Sequence, residues 1–290
     1  MAVRFRALLI VVVVLCWFPA GCSMKEYMVK SMDPIMEDMN LSVNRNPDVD
    51  MVRDALPASL VQLDGFITSA PNDRLLVRAA EANFGYAYSF VEDSNKERAS
   101  FLYLKARDYA MRPLMENRAF RENYDQTPDK FQESLAGFGK GDVPALYWAA
   151  NNWMAWAGLN VNNPEVLMDI PKIEAMLLKV VELDEAYYFG GAHAGLGAYY
   201  ASRAKTIGGD PDKAKAHFEK AFAISNSKML FFQVLYAQYY AYQIQDRDLF
   251  EKTLQDVISK PVDYFPDKNF ANEAAKRKAR VLLENIDTYF

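Results

Sequence analysis

From about residue 49 to the end of the chain, apolar residues return every three or four positions, and almost nothing alternates with period two. That spacing belongs to amphipathic helices. Several starts are marked by a short polar residue ahead of proline, as in Thr127-Pro128, Asp142-Val143-Pro144 and Asp210-Pro211, where proline's fixed φ suits the first helical turn. The pattern predicts helices near 49–69, 73–92, 97–117, 128–136, 143–160, 171–183, 187–205, 211–224, 228–243, 247–259 and 269–288, and an all-α fold.

A longer period runs above the helices. Phe84-Gly85-x-x-Tyr88 is followed by Ala99, Tyr103 and Ala106, and Leu196-Gly197-x-x-Tyr200 by Ala214, Phe218 and Ala221. Tyr236-Ala237-x-x-Tyr240 with Phe250, Leu254 and Val257 is a weaker copy, and the segment from Val143 to Glu185 is a fourth. These resemble tetratricopeptide repeats, in which a small residue lets the second helix approach the first and aromatics fill the space beside it. A lone hairpin cannot cover both its apolar faces, so the pairs must stack and need capping ends. The expectation is a tetratricopeptide-like helical-hairpin repeat solenoid over 48–290, with capping helices at Asp50 to Ser69 and Asn269 to Tyr289. Its first helices would line a concave surface.

The first residues read differently. Arg4 and Arg6 precede an apolar run from Ala7 to Phe18, then Pro19-Ala20-Gly21 and Cys22. A basic start, an apolar stretch and small residues mark a secretory signal over 1–21, and cysteine directly after Ala-Gly resembles a lipobox. Cys22 is therefore the expected lipidation site and 22–47 a lipid-anchored tether, with Met24, Met28, Met32 and Met36 four apart and Pro34 bending the segment. Either the methionines form a soft strip against membrane or partner, or the tether is simply methionine-rich. Ser23 after the cysteine points, by analogy with lipoprotein sorting, to the outer membrane, facing the periplasm.

The whole chain carries 33 basic and 38 acidic residues, and cleavage after residue 21 would remove only basic ones. So acidic a protein lacks the electrostatic footprint that nucleic acid requires, and no nucleic-acid partner is expected. Cleavage would also remove Cys16, leaving no free thiol for a disulfide or a nucleophile.

Candidate chemistry is sparse. There are two histidines, no His-Glu-x-x-His and no Gly-x-Ser-x-Gly, so no catalytic residue, metal site or cofactor is assigned and a non-enzymatic role is expected. Gly137 to Asp142 precedes a helix but lacks the Gly-Lys-Ser/Thr ending of a phosphate loop and reads as a connector, with Asp142 capping the next helix. His217, among Lys213, Lys215, Glu219 and Lys220, is expected in solvent. His193 either faces the groove or packs. The basic run Lys276, Arg277, Lys278 and Arg280 reads as a charged outer face or a dock for an acidic partner.

Aromatics are the stronger signal. Tyrosine and tryptophan exceed what one buried stripe per helix absorbs, and amides lie among them. The expected ligand-binding groove comprises Tyr147, Trp148, Asn151, Asn152, His193, Gln233, Tyr236 and Gln238, suited to a hydrophobic or amphipathic organic acid.

Val52-Arg53-Asp54-Ala55-Leu56-Pro57, Lys105 to Tyr109, Asp142 to Trp148, Glu182 to Glu185, Leu235 to Tyr240 and Lys276 to Leu283 together resemble recurring segments of the T component of tripartite ATP-independent periplasmic (TRAP) transporters. That resemblance implies a periplasm-facing lipoprotein partnered by a periplasmic solute-binding protein, and homo-oligomers enclosing passages for a ligand. The alternative from repeats alone is an envelope-assembly scaffold binding peptide segments.

Overall fold

The computed structural model describes residues 24–290, so Cys22 and the expected signal lie outside the described residues. The described chain is all helix, without strands. Its helices are α1 (Met24–Ser31), α2 (Asp33–Arg45), α3 (Val49–Ser69), α4 (Asp73–Tyr86), α5 (Lys96–Leu114), α6 (Arg118–Asn123), α7 (Pro128–Ser134), α8 (Val143–Leu159), α9 (Pro164–Asp184), α10 (Gly191–Ala201), α11 (Pro211–Ser225), α12 (Leu230–Leu235), α13 (Arg247–Ser259) and α14 (Asn269–Glu284). π-helical turns at Ala87–Val91 and Tyr236–Ala241 extend α4 and α12.

Short polar residues start these helices by accepting from orphan amides. Asp48 takes Asp50 N and Met51 N, Asn72 takes Leu75 N, Asn95 takes Arg98 N, and Asp210 takes Asp212 N and Lys213 N. Consecutive helices pack as pairs, α4 on α5, α8 on α9, α10 on α11 and α13 on α14. The approach is closest where side chains are smallest. A Cβ on Gly197 would stand 2.7 Å from the Phe218 ring, and Ala99, Ala106, Ala214 and Ala221 are fully buried. The tetratricopeptide pattern is thus a packing pattern.

Three stretches depart from the expectation. The helix placed at 171 begins at Pro164 and runs through Pro171; Pro164 offers the same first-turn chemistry earlier, and buried Val166 ties the added turns to the core. The short α6 carries too little sequence for periodicity, yet Phe120 is fully buried between Phe131 and Phe138, ring centres 5.3 and 5.2 Å away. The helix expected over 187–205 is confined to Gly191–Ala201, because Tyr188, Phe189 and Gly190 turn left-handed at φ 46°, 59° and 83°.

Most of the segment expected as a tether folds onto the domain. Helices α1 and α2 break at Met32, with Pro34 in the first turn of α2, and Val29 and Met36 are buried against Ile67, Leu75, Leu76 and Ala79. Arg78 holds α2 by donating to Asp33 Oδ1 (3.2 Å) and Glu37 Oε2 (2.8 Å).

The two expected caps meet. Helix α14 packs on α12 and α13 and also on α2, α3 and the π turn after α4. Phe270 and Ala274 share one core with Val49, Val52, Leu56 and Leu60. Around this apolar heart Arg277 donates to both oxygens of Asp50 at 2.8 and 2.9 Å, Lys278 pairs with Asp93 and Glu92, and Arg45 reaches Asp267 at 2.9 Å. The basic run of α14 is therefore no free outer face: Lys276 and Lys278 are buried, Lys276 on Glu273 and the Pro261 carbonyl, while Arg280 is exposed. Stacked pairs that curve until their ends touch need no polar terminal repeat, because each end covers the other. Loss of the buried cation in Lys278→Ala is expected to cost about 2 kcal/mol, with half-exposed Asp93 moderating the penalty. Arg277→Ala, at an exposed pair, should cost much less; urea denaturation of both variants checks the order.

Candidate functional site

Closure leaves a half-open cavity of about 280 Å³ bounded by α2, α3, α4, α8, α12 and α14. Met32, Met36 and Met39 supply a flexible apolar wall from α2, and Leu56, Leu63 and Phe66 continue it along α3. Opposite them stand Phe84, Tyr88, Trp148, Tyr147, Tyr188 and Phe231. These rings order one another. Trp148 meets Phe84 at 5.7 Å and Tyr188 at 4.9 Å, and Phe231 lies edge-on to Tyr88 at 4.7 Å.

Backbone choices hold this wall in place. Gly85 faces the cavity with open space where its Cβ would be, unlike Gly197 at the same repeat position. Gly191 lets Tyr147 cross α10, since a Cβ there would lie 2.2 Å from the tyrosine oxygen. Tyr188 takes a left-handed conformation costly for a bulky residue, a kind of strain that gathers where a ligand is held.

Few polar groups face the interior. Arg78 answers the acids of α2 at one edge. One turn on, burial lifts the Glu81 carboxyl above its usual pKa, opposed in part by Lys268. Burial likewise lowers the Lys268 ammonium, with Glu81 opposing. Lys268 Nζ lies 5.0 Å from the Tyr188 ring centre and donates to Asn44 Oδ1 at 3.1 Å. The cavity therefore has an apolar body and one charged edge.

Of the residues expected in the groove, Tyr147 and Trp148 line this cavity. Asn151 and Asn152 are buried and donate to the Tyr147 and Trp148 carbonyls one turn back, at 3.0 and 2.8 Å. Gln233 donates to the Ser227 carbonyl at 3.0 Å, and Tyr236 stacks on Tyr240 at 4.8 Å. Gln238 is half-buried on the second π turn. His193 is buried against His217. The structure thus brings Tyr147 and Trp148 to the cavity and distributes the other six elsewhere. Gly85, Tyr88 and Tyr188, not among the expected groove residues, line it instead, together with Met36 of the methionine strip, while Lys268 stands behind Tyr188. Gly85 and Tyr88 carried a signal as repeat residues, but a repeat pattern does not say which copy opens onto a cavity.

A model of the TRAP transporter T-component family matches residues 45–290. The chain belongs to the TRAP transporter T-component family. No curated protein matches it. The family is a transport accessory component, which gives this T-component a role tied to that transport system. Among the described residues no helix is long and apolar enough to cross a membrane. None of their histidine, cysteine, aspartate and glutamate side chains gather in threes to hold a metal ion.

Two outlying expectations for this T-component are corrected. Asp142 makes no capping bond to α8; its Oδ2 accepts from Gly139 N at 2.9 Å, closing the preceding turn. His217 is half-buried, stacked on Tyr200 at 5.7 Å, with its Nδ1 2.9 Å from His193 Nδ1. The lysines around it face outward while its own position turns toward α10. Two ring nitrogens so close share one proton, and His193 Nε2 lies 3.4 Å from Glu185 Oε2. Burial, then the neighbouring His193, push His217 down to about 4, and burial also lowers His193.

A base whose folded pKa is depressed holds its full stability contribution above its unfolded pKa, about 6.5, and loses it as pH falls through the folded value. The T-component should therefore lose stability between about pH 6.5 and about pH 4. His217→Gln is expected to flatten that part of the profile in urea denaturation across this range. An unchanged slope would show that the pair does not carry it.

Proposed function

We propose that this T-component is a non-catalytic, periplasm-facing lipoprotein that holds a hydrophobic or amphipathic organic acid in its cavity and engages a periplasmic solute-binding protein of a TRAP transport system. The observation that supports this reading is the half-open cavity lined by aromatics and methionines, with Arg78 at one edge and Lys268 against its Tyr188 wall. Apolar walls with a few placed polar groups are the usual make-up of small-molecule sites. Of the expected groove residues, Tyr147 and Trp148 are retained as ligand contacts. Arg78 supplies positive charge for the acid's carboxylate, Lys268 adds to it from behind Tyr188 and Asn44, and the methionines adapt to its chain. A cavity of about 280 Å³ bounded by α14 suits a compact molecule better than the extended peptide of an assembly scaffold. Homo-oligomer formation and an outer-membrane position belong to the same proposal.

Gly85 provides a clean test. Nothing lies within 4 Å of a Cβ built there, so Gly85→Leu projects a side chain into the cavity while improving helix propensity by roughly 0.8 kcal/mol. The variant is expected to keep or raise the melting temperature and to lose at least about tenfold in decanoate affinity by isothermal titration calorimetry, a cost of about 1.4 kcal/mol. Equal affinity in both proteins would remove the cavity as the binding place. For the anchor, Cys22→Ser in the full precursor is expected to release the protein from the membrane fraction into the periplasmic extract. Persistence in the membrane fraction would count against lipidation.

A further inference from the structure

Helices α1 and α2 are apolar on two sides. Their inner side carries Val29 and Met36 into the core. Beside it Met24, Tyr27, Met28, Ile35 and Met39 are left uncovered by the domain, between 55% and 75% exposed. They share one face, because residues 24, 28, 35 and 39 follow one another by four, seven and four positions, close to whole helical turns, with Tyr27 three on from Met24. The break at Met32 does not scatter them. Met32 N still donates to Met28 O at 3.2 Å and Met36 N to Met32 O at 2.9 Å, with Met32 itself in the helical region. Other exposed large apolar side chains, such as Val61, Phe101 and Val161, lie on separate segments, as is ordinary on a protein surface.

What covers this strip follows from where it begins. Met24 is two residues past Cys22, a span of at most about 7 Å, so acyl chains carried at Cys22 would enter a bilayer within reach of the first turn of α1. The side chains suit that place. Tyrosine brings an apolar ring with a polar tip, methionine is flexible and polarisable, and exposed Lys25 and Lys30 can keep their heads in water while their stems lie along apolar surface. Two acids of α2 turn to the domain: Asp33 accepts from Arg74 and Arg78, and Glu37 from Arg78. Exposed Asp38 lies beside the far end of the strip.

We infer that the outer face of α1 and α2 is a membrane-contact surface, lying in the headgroup region of the bilayer that the Cys22 anchor enters. This rests on the lipid-anchor reading above and adds to it: the anchor supplies attachment, and the strip fixes how the domain sits. Contact is deepest at Met24, Tyr27 and Met28 and shallower toward Met39, next to Asp38. Met39 also lines the cavity, so the cavity's methionine wall is set beside the membrane.

Cleavage after residue 21 leaves Cys22 as the one cysteine, and lipidation blocks its thiol, so a single nitroxide can be placed elsewhere on an introduced cysteine. Met28→Cys, Met39→Cys and Lys252→Cys, the last exposed on α13, which packs on α12 and α14, are labelled in the lipidated protein reconstituted in vesicles of phosphatidylethanolamine and phosphatidylglycerol. Collision with a water-soluble nickel chelate should be at least about fivefold less frequent at position 28 than at position 252, with position 39 between them. In the unlipidated Cys22→Ser protein without vesicles, positions 28 and 252 should be accessible to within about twofold of each other. Equal accessibility of the two on vesicles would overturn the inference and leave the anchor standing. Shielding of position 28 in the unlipidated protein would overturn it as well, and would assign the strip to a second copy of this chain. Recovery of the Cys22-bearing protein outside the membrane fraction would remove the anchor reading and this inference together.

Discussion

Contact between α14 and the first helices decides what kind of interior the repeats enclose. Stacked hairpins that only curve present an open groove, wet along its length. Here Phe270 and Ala274 enter the core of α3 and the end of α4, and Arg277, Lys278 and Arg45 bind the rim of that contact. The apolar part resists separation wherever water is the alternative, and the ionic rim fixes how far α14 slides along α3. With the ends joined, rings that would have faced solvent face one another across a cavity.

The cost of that cavity is visible in local rules that are broken around it. Tyr188 is left-handed, Glu81 and Lys268 are charged groups whose ionisation burial opposes, Tyr88 carries an unanswered hydroxyl, and Gly85 gives up packing against its partner helix. Elsewhere the same repeat chemistry is satisfied: Gly197 is filled by Phe218, and Tyr200 by Glu174. Violations gathered at one place, within a sequence otherwise consistent from caps to core, are the pattern expected of a functional site.

Much of the fold was legible because it rests on local signals. Asp48, Asn72, Asn95 and Asp210 cap where they stand, and the Ala and Gly positions of the repeats pack as their spacing implies. The site was legible only in part. Trp148 and Tyr147 were singled out for excess ring area, but Asn151 and Asn152 on the same helix bond back to its own carbonyls, an option open to any helical asparagine. His217 looked solvated because its sequence neighbours are lysines, yet sequence neighbours on a helix point in different directions. The run at Lys276 to Arg280 looked like surface because charge is usually solvated. Its acidic partners, Asp50, Glu92 and Asp93, lie far away in the chain, and no local pattern links them.

The sequence by itself determined the helices, their pairing and the membership of each buried stripe, because capping, periodicity and small-residue spacing act over a few turns. Tertiary structure alone decided that the first and last helices touch, that α2 becomes a cavity wall rather than a leash, and that Tyr200 finds Glu174 while the Tyr88 hydroxyl is buried without a partner. Those outcomes depend on curvature accumulated over every repeat and on charges that meet only after the chain has turned back on its own beginning.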